Sequence, residues 1–164
     1  MLKTPLRFVR ISSKFDRKRF HPILHVEKAH LGIDYAAPVG TPVWASASGR
    51  VVEVGMKRGS GNTIVIAHSN GLSTRYYHLS RYARGLHVGQ QVKQKDVIGF
   101  VGTTGLSTGP HLHFSVTKNG AFVDPSKLAV NRDPPVPDPG AYMAAIRPRI
   151  TALKAIQPGA VARN

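Results

Sequence analysis

Short segments of alternating apolar and polar residues, separated by turn-forming residues, constrain this 164-residue chain more than any other feature. Such segments favour β-strands, because side chains alternate between the two faces of a strand and glycine accepts the tight turns between strands. The segments are Thr41–Ala47, Arg50–Val54, Asn62–His68, Leu72–Leu79, Gln91–Gln94, Val97–Val101, His111–Lys118 and Ala121–Val123. Asn119-Gly120, between the last two, is typical of a two-residue hairpin. With 16 glycines, 12 prolines and 7% aromatic residues, the sequence predicts an all-β fold.

Composition divides the chain into three parts. Residues 1–24 alternate apolar and basic side chains and are expected to form an arm leading into the domain, which we place at residues 25–130. The proline-rich run 133–140 cannot form a helix or a central strand, so residues 131–164 are expected to be a connector and a weakly helical tail. With 41% hydrophobic residues and no cysteine, the domain must rely on its core rather than on disulfides.

The chain is strongly basic. It has 23 lysine and arginine residues against 8 aspartate and glutamate residues, a formal net charge of +15. This balance indicates a polyanionic partner such as nucleic acid, an acidic glycopolymer or an anionic membrane surface, although a charge spread over the surface for solubility is an equal alternative. The densest basic patch comprises Lys14, Arg17, Lys18 and Arg19. No aromatic platform or nucleic-acid motif accompanies it, so we expect no specific nucleic-acid binding.

Two histidines, His111 and His113, lie on the polar face of one predicted strand. Alternation places Leu112, Phe114 and Val116 on the opposite face, which serves the core. Residues two apart on a strand are separated by ~6–7 Å. One histidine can therefore bind a metal ion while the other reaches a water on that metal. A pair of buried, hydrogen-bonded histidines is the alternative for this motif taken alone.

His30 and Asp34 form a second candidate ligand pair. Four extended residues span ~13 Å, whereas two ligands of one zinc ion lie within ~4 Å of each other, so the segment must bend. Gly32 lies at its middle and can supply backbone angles that other residues cannot adopt. The candidate set is completed by His78 at the end of a predicted strand: His30, Asp34, His78, His111 and His113. Three of them can hold zinc while two histidines handle protons.

Four segments, taken in order, carry a family resemblance. They are Phe20-His21-Pro22-Ile23, the run 30–43 from His30-Leu31-Gly32-Ile33-Asp34 to Pro42-Val43, Tyr77-His78-Leu79-Ser80, and the run 102–114 ending in Gly109-Pro110-His111-Leu112-His113-Phe114. Together they resemble the lysostaphin-like and LytM-like zinc endopeptidases, the β-lytic metallopeptidases, from about Ile11 to Leu128. The resemblance implies an antiparallel β-sheet core of that type with a loop-walled active-site groove and a short C-terminal helical tail, and it makes residues 25–130 the catalytic domain.

The resemblance also implies the site residues. One zinc ion per chain would be held by His30, Asp34 and His113, and His78 and His111 would be catalytic. One of these two histidines would take the proton of a metal-activated water and return one to the leaving amine, while the other stabilises the developing oxyanion. The expected function is a zinc-dependent endopeptidase that hydrolyses peptide cross-links of bacterial peptidoglycan. The alternative is a non-catalytic fold member, expected to lack some of these residues, that binds and activates cell-wall hydrolases.

The expected surroundings follow from the same resemblance. Its partners would be peptidoglycan stem peptides and anionic cell-envelope polymers, and its location the cell envelope, either periplasm or cell wall. No apolar stretch approaches the ~18–20 residues of a membrane span, and the first ten residues lack the apolar core of a signal peptide. An export signal or membrane anchor would therefore belong to an upstream segment. The sequence leaves open the oligomeric state and the cross-link bond that is cut.

Overall fold

The computed structural model describes residues 1–8, 10–18, 20, 21, 26, 27, 29–128, 130, 131, 144 and 148. Apart from residues 131, 144 and 148, the predicted connector and helical tail lie outside the described residues. The strands are β1 (Leu2–Lys3), β2 (Arg10–Ser13), β3 (Phe20–His21), β4 (Val26–Glu27), β5 (Ile33–Ala36), β6 (Pro42–Trp44), β7 (Gly49–Lys57), β8 (Gly61–Ala67), β9 (Leu72–Tyr82), β10 (Gln91–Val92), β11 (Val97–Val101), β12 (His111–Lys118), β13 (Ala121–Val123) and β14 (Val130–Asn131), and a 3-10 helix spans Pro125–Lys127. Within the described part, no helix has the length and apolar character needed to cross a membrane.

Ten of these strands form one sheet. Its order is β10-β7-β8-β9-β12-β5-β2, with β13 beside β12 and with β11 pairing both β9 and β6. All of its pairings are antiparallel. Because β12 lies between β9 and β5, side chains on one of its faces are surrounded by the same face of two neighbouring strands.

The all-β prediction is confirmed, and several strands match their predicted bounds. Val97–Val101, His111–Lys118 and Ala121–Val123 begin and end where the sequence predicted. The hairpin between β12 and β13 is also confirmed, with Asn119 and Gly120 at φ 50° and 83°, as a two-residue turn of this kind requires. Two strands of the sheet, β2 and β5, were not predicted. They are four residues long and lie in the segment before Thr41.

The core lies against the face of the sheet that carries Leu112, Phe114 and Val116, which are at most 1% exposed. Residues near the amino terminus belong to this core. Leu6 is fully buried, and the ring of Phe8 packs at 4.8 Å from that of Tyr35 in β5. The segment predicted as an arm therefore contributes side chains to the domain and supports the strand that carries Asp34.

Candidate metal centre

Three adjacent strands bring the predicted residues together. His113 of β12 is directly opposite Asp34 of β5 on one side and Tyr77 of β9 on the other. His30 joins the group through an isolated bridge with Asp16, in which each backbone amide donates to the other's carbonyl. The predicted alternation along β12 is confirmed, because the two neighbours of His113 in the chain are buried in the core. These neighbours are Leu112 and Phe114. His113 itself therefore faces away from the core.

His30, Asp34 and His113 converge on one point. His30 Nε2 lies 3.1 Å from Asp34 Oδ2 and 3.1 Å from His113 Nδ1. His113 Nδ1 is 2.7 Å from Asp34 Oδ1. Among the residues that the structure describes, these three form a group whose potential ligand atoms all lie within 4.8 Å of one another and could hold a metal ion.

Gly32 is required for a reason that differs from the predicted one. The segment bends as expected, but Gly32 is not among the residues with a positive φ. A Cβ atom at this position would instead lie 2.6 Å from His113 Nε2, 2.6 Å from the Phe114 carbonyl oxygen and 2.7 Å from Ser115 Oγ. The loop before β5 therefore passes directly over β12, and the absent side chain allows His30 and His113 to meet.

Hydrogen bonds behind the two histidines orient their rings. His30 Nδ1 lies 2.7 Å from the carbonyl oxygen of Lys14, to which it must donate because a carbonyl only accepts. Nε2 is therefore the His30 nitrogen that faces Asp34 and His113 and is available to a metal ion. His113 Nε2 lies 2.9 Å from Ser115 Oγ, which leaves Nδ1 for the shared centre. Such partners fix the tautomer and the orientation of metal-binding histidines.

His78 and His111 lie beside this centre but are held differently. His111 Nδ1 is 2.8 Å from the Gly109 carbonyl, and His78 Nδ1 is 2.8 Å from the Thr104 carbonyl. Both rings therefore donate from Nδ1, and in their neutral form both keep an unprotonated Nε2. The two rings are 4.9 Å apart, and His111 Nε2 lies 3.9 Å from Asp34 Oδ1. The structure thus brings all five predicted residues together.

Burial and hydrogen bonding set the charges of Asp34 and His78. Burial alone would raise the pKa of the Asp34 carboxyl, but hydrogen bonds from His113 and His30 hold that pKa well below its usual value. The carboxyl is therefore an anion at neutral pH. Burial lowers the pKa of His78 against the opposing effect of its hydrogen bond to Thr104. At neutral pH His78 is accordingly a neutral imidazole, which can accept a proton.

Some residues of the site were not singled out from the sequence. The ring of Tyr77 packs at 5.3 Å from that of His113, and Thr104 and Lys14 contribute only carbonyl oxygens to the imidazoles. Ser115 could have been found, because alternation places it on the same face of β12 as His113. Backbone acceptors carry no side-chain signal, so the sequence offers nothing that points to them.

The donor set fits zinc. Two imidazole nitrogens and one carboxylate are a common ligand set of catalytic zinc, which leaves a further coordination position open. The contacts of His30 Nδ1 with the Lys14 carbonyl and of His113 Nε2 with Ser115 leave the other nitrogen of each ring facing the shared centre, where a metal ion would bind it in its unprotonated form. The sequence departs from a structural zinc site because it has no cysteine, and structural sites use thiolates in most cases.

A relative with a similar sequence is named as a peptidase. DD-carboxypeptidase/endopeptidase Mpg of Neisseria meningitidis serogroup B is 51% identical over 126 residues, which cover 77% of this chain and 28% of the relative. The chain therefore spans less than a third of that relative's length.

Two solved structures share the fold. A zinc-containing peptidase from Vibrio cholerae matches with a TM-score of 0.72 and 38% identity over 77% of this chain and 39% of that chain. The catalytic domain of lysostaphin from Staphylococcus simulans matches with a TM-score of 0.61 and 34% identity over 72% of this chain and 90% of that one. The predicted fold type and zinc cofactor are thereby confirmed. Residues 28–125 match the family model of peptidase family M23, and the chain belongs to that family.

Proposed function

We propose that this chain is a zinc endopeptidase that hydrolyses peptide cross-links of bacterial peptidoglycan. The observation that carries the proposal is the convergence of three potential ligands, His30, Asp34 and His113, beside two histidines that donate from Nδ1 to backbone carbonyls. Metal-assisted hydrolysis needs both parts, a metal with an open position and groups that move protons. We assign zinc binding to the first three residues and catalysis to His78 and His111.

The chain's own residues provide positioning and proton transfer. Zinc, when bound, supplies a Lewis acid for the scissile carbonyl and lowers the pKa of a coordinated water. His111 Nε2, 3.9 Å from Asp34 Oδ1, is placed to exchange protons at the edge of the ligand group. His78 packs against His111 and can accept a proton or donate a hydrogen bond to the developing oxyanion. The leaving amine receives its proton from whichever of the two rings became protonated.

The bond that we propose is a D,D cross-link rather than a glycyl-glycine bridge. The Neisseria relative, named as a DD-carboxypeptidase/endopeptidase, is 51% identical to this chain. The lysostaphin catalytic domain is 34% identical. The higher similarity to the first protein supports the D,D specificity.

The non-catalytic alternative has no specific observation in its favour. A fold member that only activates other hydrolases has no need for a metal ligand set or for proton-transfer groups. Here all five residues are present, and they converge. We propose residues 25–130 as the catalytic domain, with apolar side chains of residues 1–24 completing its core.

We further propose that the enzyme works in the cell envelope and that its basic surface promotes capture of anionic envelope polymers. The formal net charge of +15 supports this partner class. Exposed lysine and arginine side chains act over the screening length, which falls from ~30 Å at 0.01 M salt to ~8 Å at 0.15 M. Binding to sacculi should therefore weaken as salt rises, whereas cleavage of a short neutral cross-link peptide should change little. An equally steep loss with the small peptide would contradict a role in capture.

Mass spectrometry of fragments released from purified sacculi tests the function directly. Zinc-loaded protein should release peptides with a new D-alanine carboxyl group and a free amine from D,D-cross-linked sacculi. Protein treated with a chelator and the His111→Ala variant are the controls and should release little. Fragments only from glycine-bridged sacculi would overturn the proposed bond, and no fragments from either wall type would overturn the proposed function.

A further inference from the structure

We propose that Thr104 is a positioning residue for His78: its backbone carbonyl sets the direction and the tautomer of the imidazole, and its hydroxyl holds that carbonyl in place through two further hydrogen bonds. The inference rests on the proposed function, in which His78 is a catalytic histidine. Thr104 lies in the loop between β11 and β12, and it is half-buried between the exposed residues Thr103 and Gly105. Of these three residues, Thr104 is the one that is partly shielded from solvent.

The backbone of His78 is held in an unusual conformation. Its φ is 58°, in the left-handed region that few residues other than glycine adopt. Its amide donates to the Ser60 carbonyl at 2.9 Å, and the side chain is buried at 8% exposure. Such a conformation persists only where the surroundings hold it, and residues in this state are frequent at active sites. The contacts that hold His78 therefore bear directly on where its ring points.

Thr104 contacts both the side chain of His78 and the backbone of the next residue. Its carbonyl oxygen accepts the Nδ1 hydrogen of His78 at 2.8 Å. Its hydroxyl donates to the Leu79 carbonyl at 2.7 Å and accepts from the Asn62 amide at 2.9 Å. One residue thus binds the imidazole of His78 and, through its hydroxyl, the carbonyl of the next residue, Leu79.

Tight packing keeps Thr104 in this place. A Cβ atom on Gly61 would lie 2.3 Å from the Thr104 carbonyl oxygen and 2.4 Å from Thr104 Oγ1. On the next residues of the loop, the amide of Leu106 donates to the Gly59 carbonyl at 2.7 Å. The loop is therefore pressed onto the turn between β7 and β8, with no space for a side chain between Gly61 and Thr104.

The consequence is chemical. With Nδ1 donating to the Thr104 carbonyl, the neutral ring keeps Nε2 unprotonated, which is the state that a general base needs. If the hydroxyl of Thr104 is removed, the loop loses both bonds to β8 and β9, and the carbonyl can shift with it. A misplacement of ~1 Å can reduce turnover by as much as ~100-fold.

Thr104→Val removes the hydroxyl and preserves the size of the side chain. We expect kcat on a D,D-cross-linked peptide to fall ~10- to 100-fold, with unchanged zinc content and little change in KM. Thr104→Ser keeps the hydroxyl and should restore kcat to within about threefold of the wild type. Thr103→Val, the same change at the exposed neighbouring residue, is the matched control and should leave kcat unaltered. A kcat for Thr104→Val equal to that of Thr103→Val would overturn the proposal.

A double-mutant cycle separates positioning from general structural damage. In a His78→Ala background, Thr104→Val should cause no further loss of the residual turnover, because the residue through which it acts is gone. A loss of the same size with and without His78 would refute the proposed route. Wild-type protein without hydrolytic activity, by contrast, would refute the proposed function itself, so the two failures are distinguishable.

Gly61→Ala provides a second variant that leaves Thr104 unchanged. The added Cβ would push on the Thr104 carbonyl, and kcat should fall as in Thr104→Val. Gly85→Ala is the matched control, because Gly85 also has a positive φ, 73° against 67°, and a Cβ there meets nothing within 4 Å. In histidine-labelled protein, nitrogen NMR should show a defined Nδ1–H tautomer for His78 in the wild type and the loss of that tautomer in Gly61→Ala. An unchanged tautomer together with an unchanged kcat would contradict the inference.

Discussion

The site has a ligand half, His30, Asp34 and His113, and a catalytic half, His78 and His111, and the two halves are held in place by different contacts. His30, Asp34 and His113 contact one another through side-chain atoms only 2.7 to 3.1 Å apart. His78 and His111 are instead anchored to backbone carbonyl oxygens of the loop before β12, those of Thr104 and Gly109. The ligand half is therefore held by contacts among its own members, supported by Lys14 and Ser115, whereas both residues of the catalytic half are anchored to one loop.

This difference predicts that metal binding and turnover can be separated. A change in the ligand half removes part of a mutually dependent cluster and should affect both properties. A change in the catalytic half leaves the three ligands in contact with one another and should affect turnover alone.

Asp34→Ala should have the largest effect. It removes the anion that contacts both His30 and His113, so one-equivalent zinc binding and detectable turnover should both be lost. Elemental analysis after dialysis measures the first property and peptide cleavage the second. Asp124→Ala, which removes the carboxylate that caps the 3-10 helix, is the control and should retain zinc. Full zinc occupancy in Asp34→Ala would remove that residue from the ligand set.

His78→Ala and His111→Ala should have the next largest effect. Each should reduce kcat by ~10²–10⁴-fold, the range for a positioned general acid or base, while zinc remains at one equivalent per chain. The same two measurements apply. Near wild-type digestion of sacculi by His111→Ala would rule out its proton-transfer role and leave that role to His78.

Ser115→Ala should weaken the ligand half without abolishing it. Its hydroxyl lies 2.9 Å from His113 Nε2, and the loss of such a partner reduces metal affinity by ~10–100-fold. Competition with a zinc chelator measures the dissociation constant. Ser107→Ala is the matched variant in the catalytic half, because Ser107 Oγ lies 3.3 Å from His111 Nδ1. If Ser107→Ala weakens zinc binding as much as Ser115→Ala, the division between the halves is wrong.

His68 lies outside both halves of the site, and its substitution should have the smallest effect, a change in how the free energy of unfolding depends on pH. Burial lowers its pKa from 6.5, while a hydrogen bond to the Ser48 carbonyl opposes that shift. Between the lowered pKa and 6.5 the unfolded chain binds more protons, so the free energy of unfolding should fall as pH drops below 6.5. In zinc-free protein, His68→Gln should show a shallower fall than the wild type over pH 5 to 7, measured by urea unfolding. Identical slopes for His68→Gln and the wild type would mean that His68 has the same pKa in the folded and unfolded protein, which contradicts this prediction.

The sequence predicts the strands and the chemical groups of the site better than it predicts the contacts that hold those groups in place. Alternation along β12 is a local property, and so the placement of His111 and His113 on the polar face was predictable. The close approach of Gly32 to His113 and the bond from His78 to Thr104 join residues distant in sequence. No local pattern encodes such contacts, and a backbone carbonyl has no residue type. For the same reason the short strand β5 was not predicted, because its place in the sheet depends on two distant partners.

The central claim is that these five residues divide into three zinc ligands and two residues that do not bind the metal. Anomalous diffraction at the zinc edge, from crystals grown with zinc, tests it most directly. The predicted result is one peak per chain within ~2.0–2.2 Å of ligand atoms of His30, Asp34 and His113, with His78 and His111 still bonded to their loop carbonyls. A peak coordinated by His78 or His111, or one that lies away from these strands, would contradict the claim.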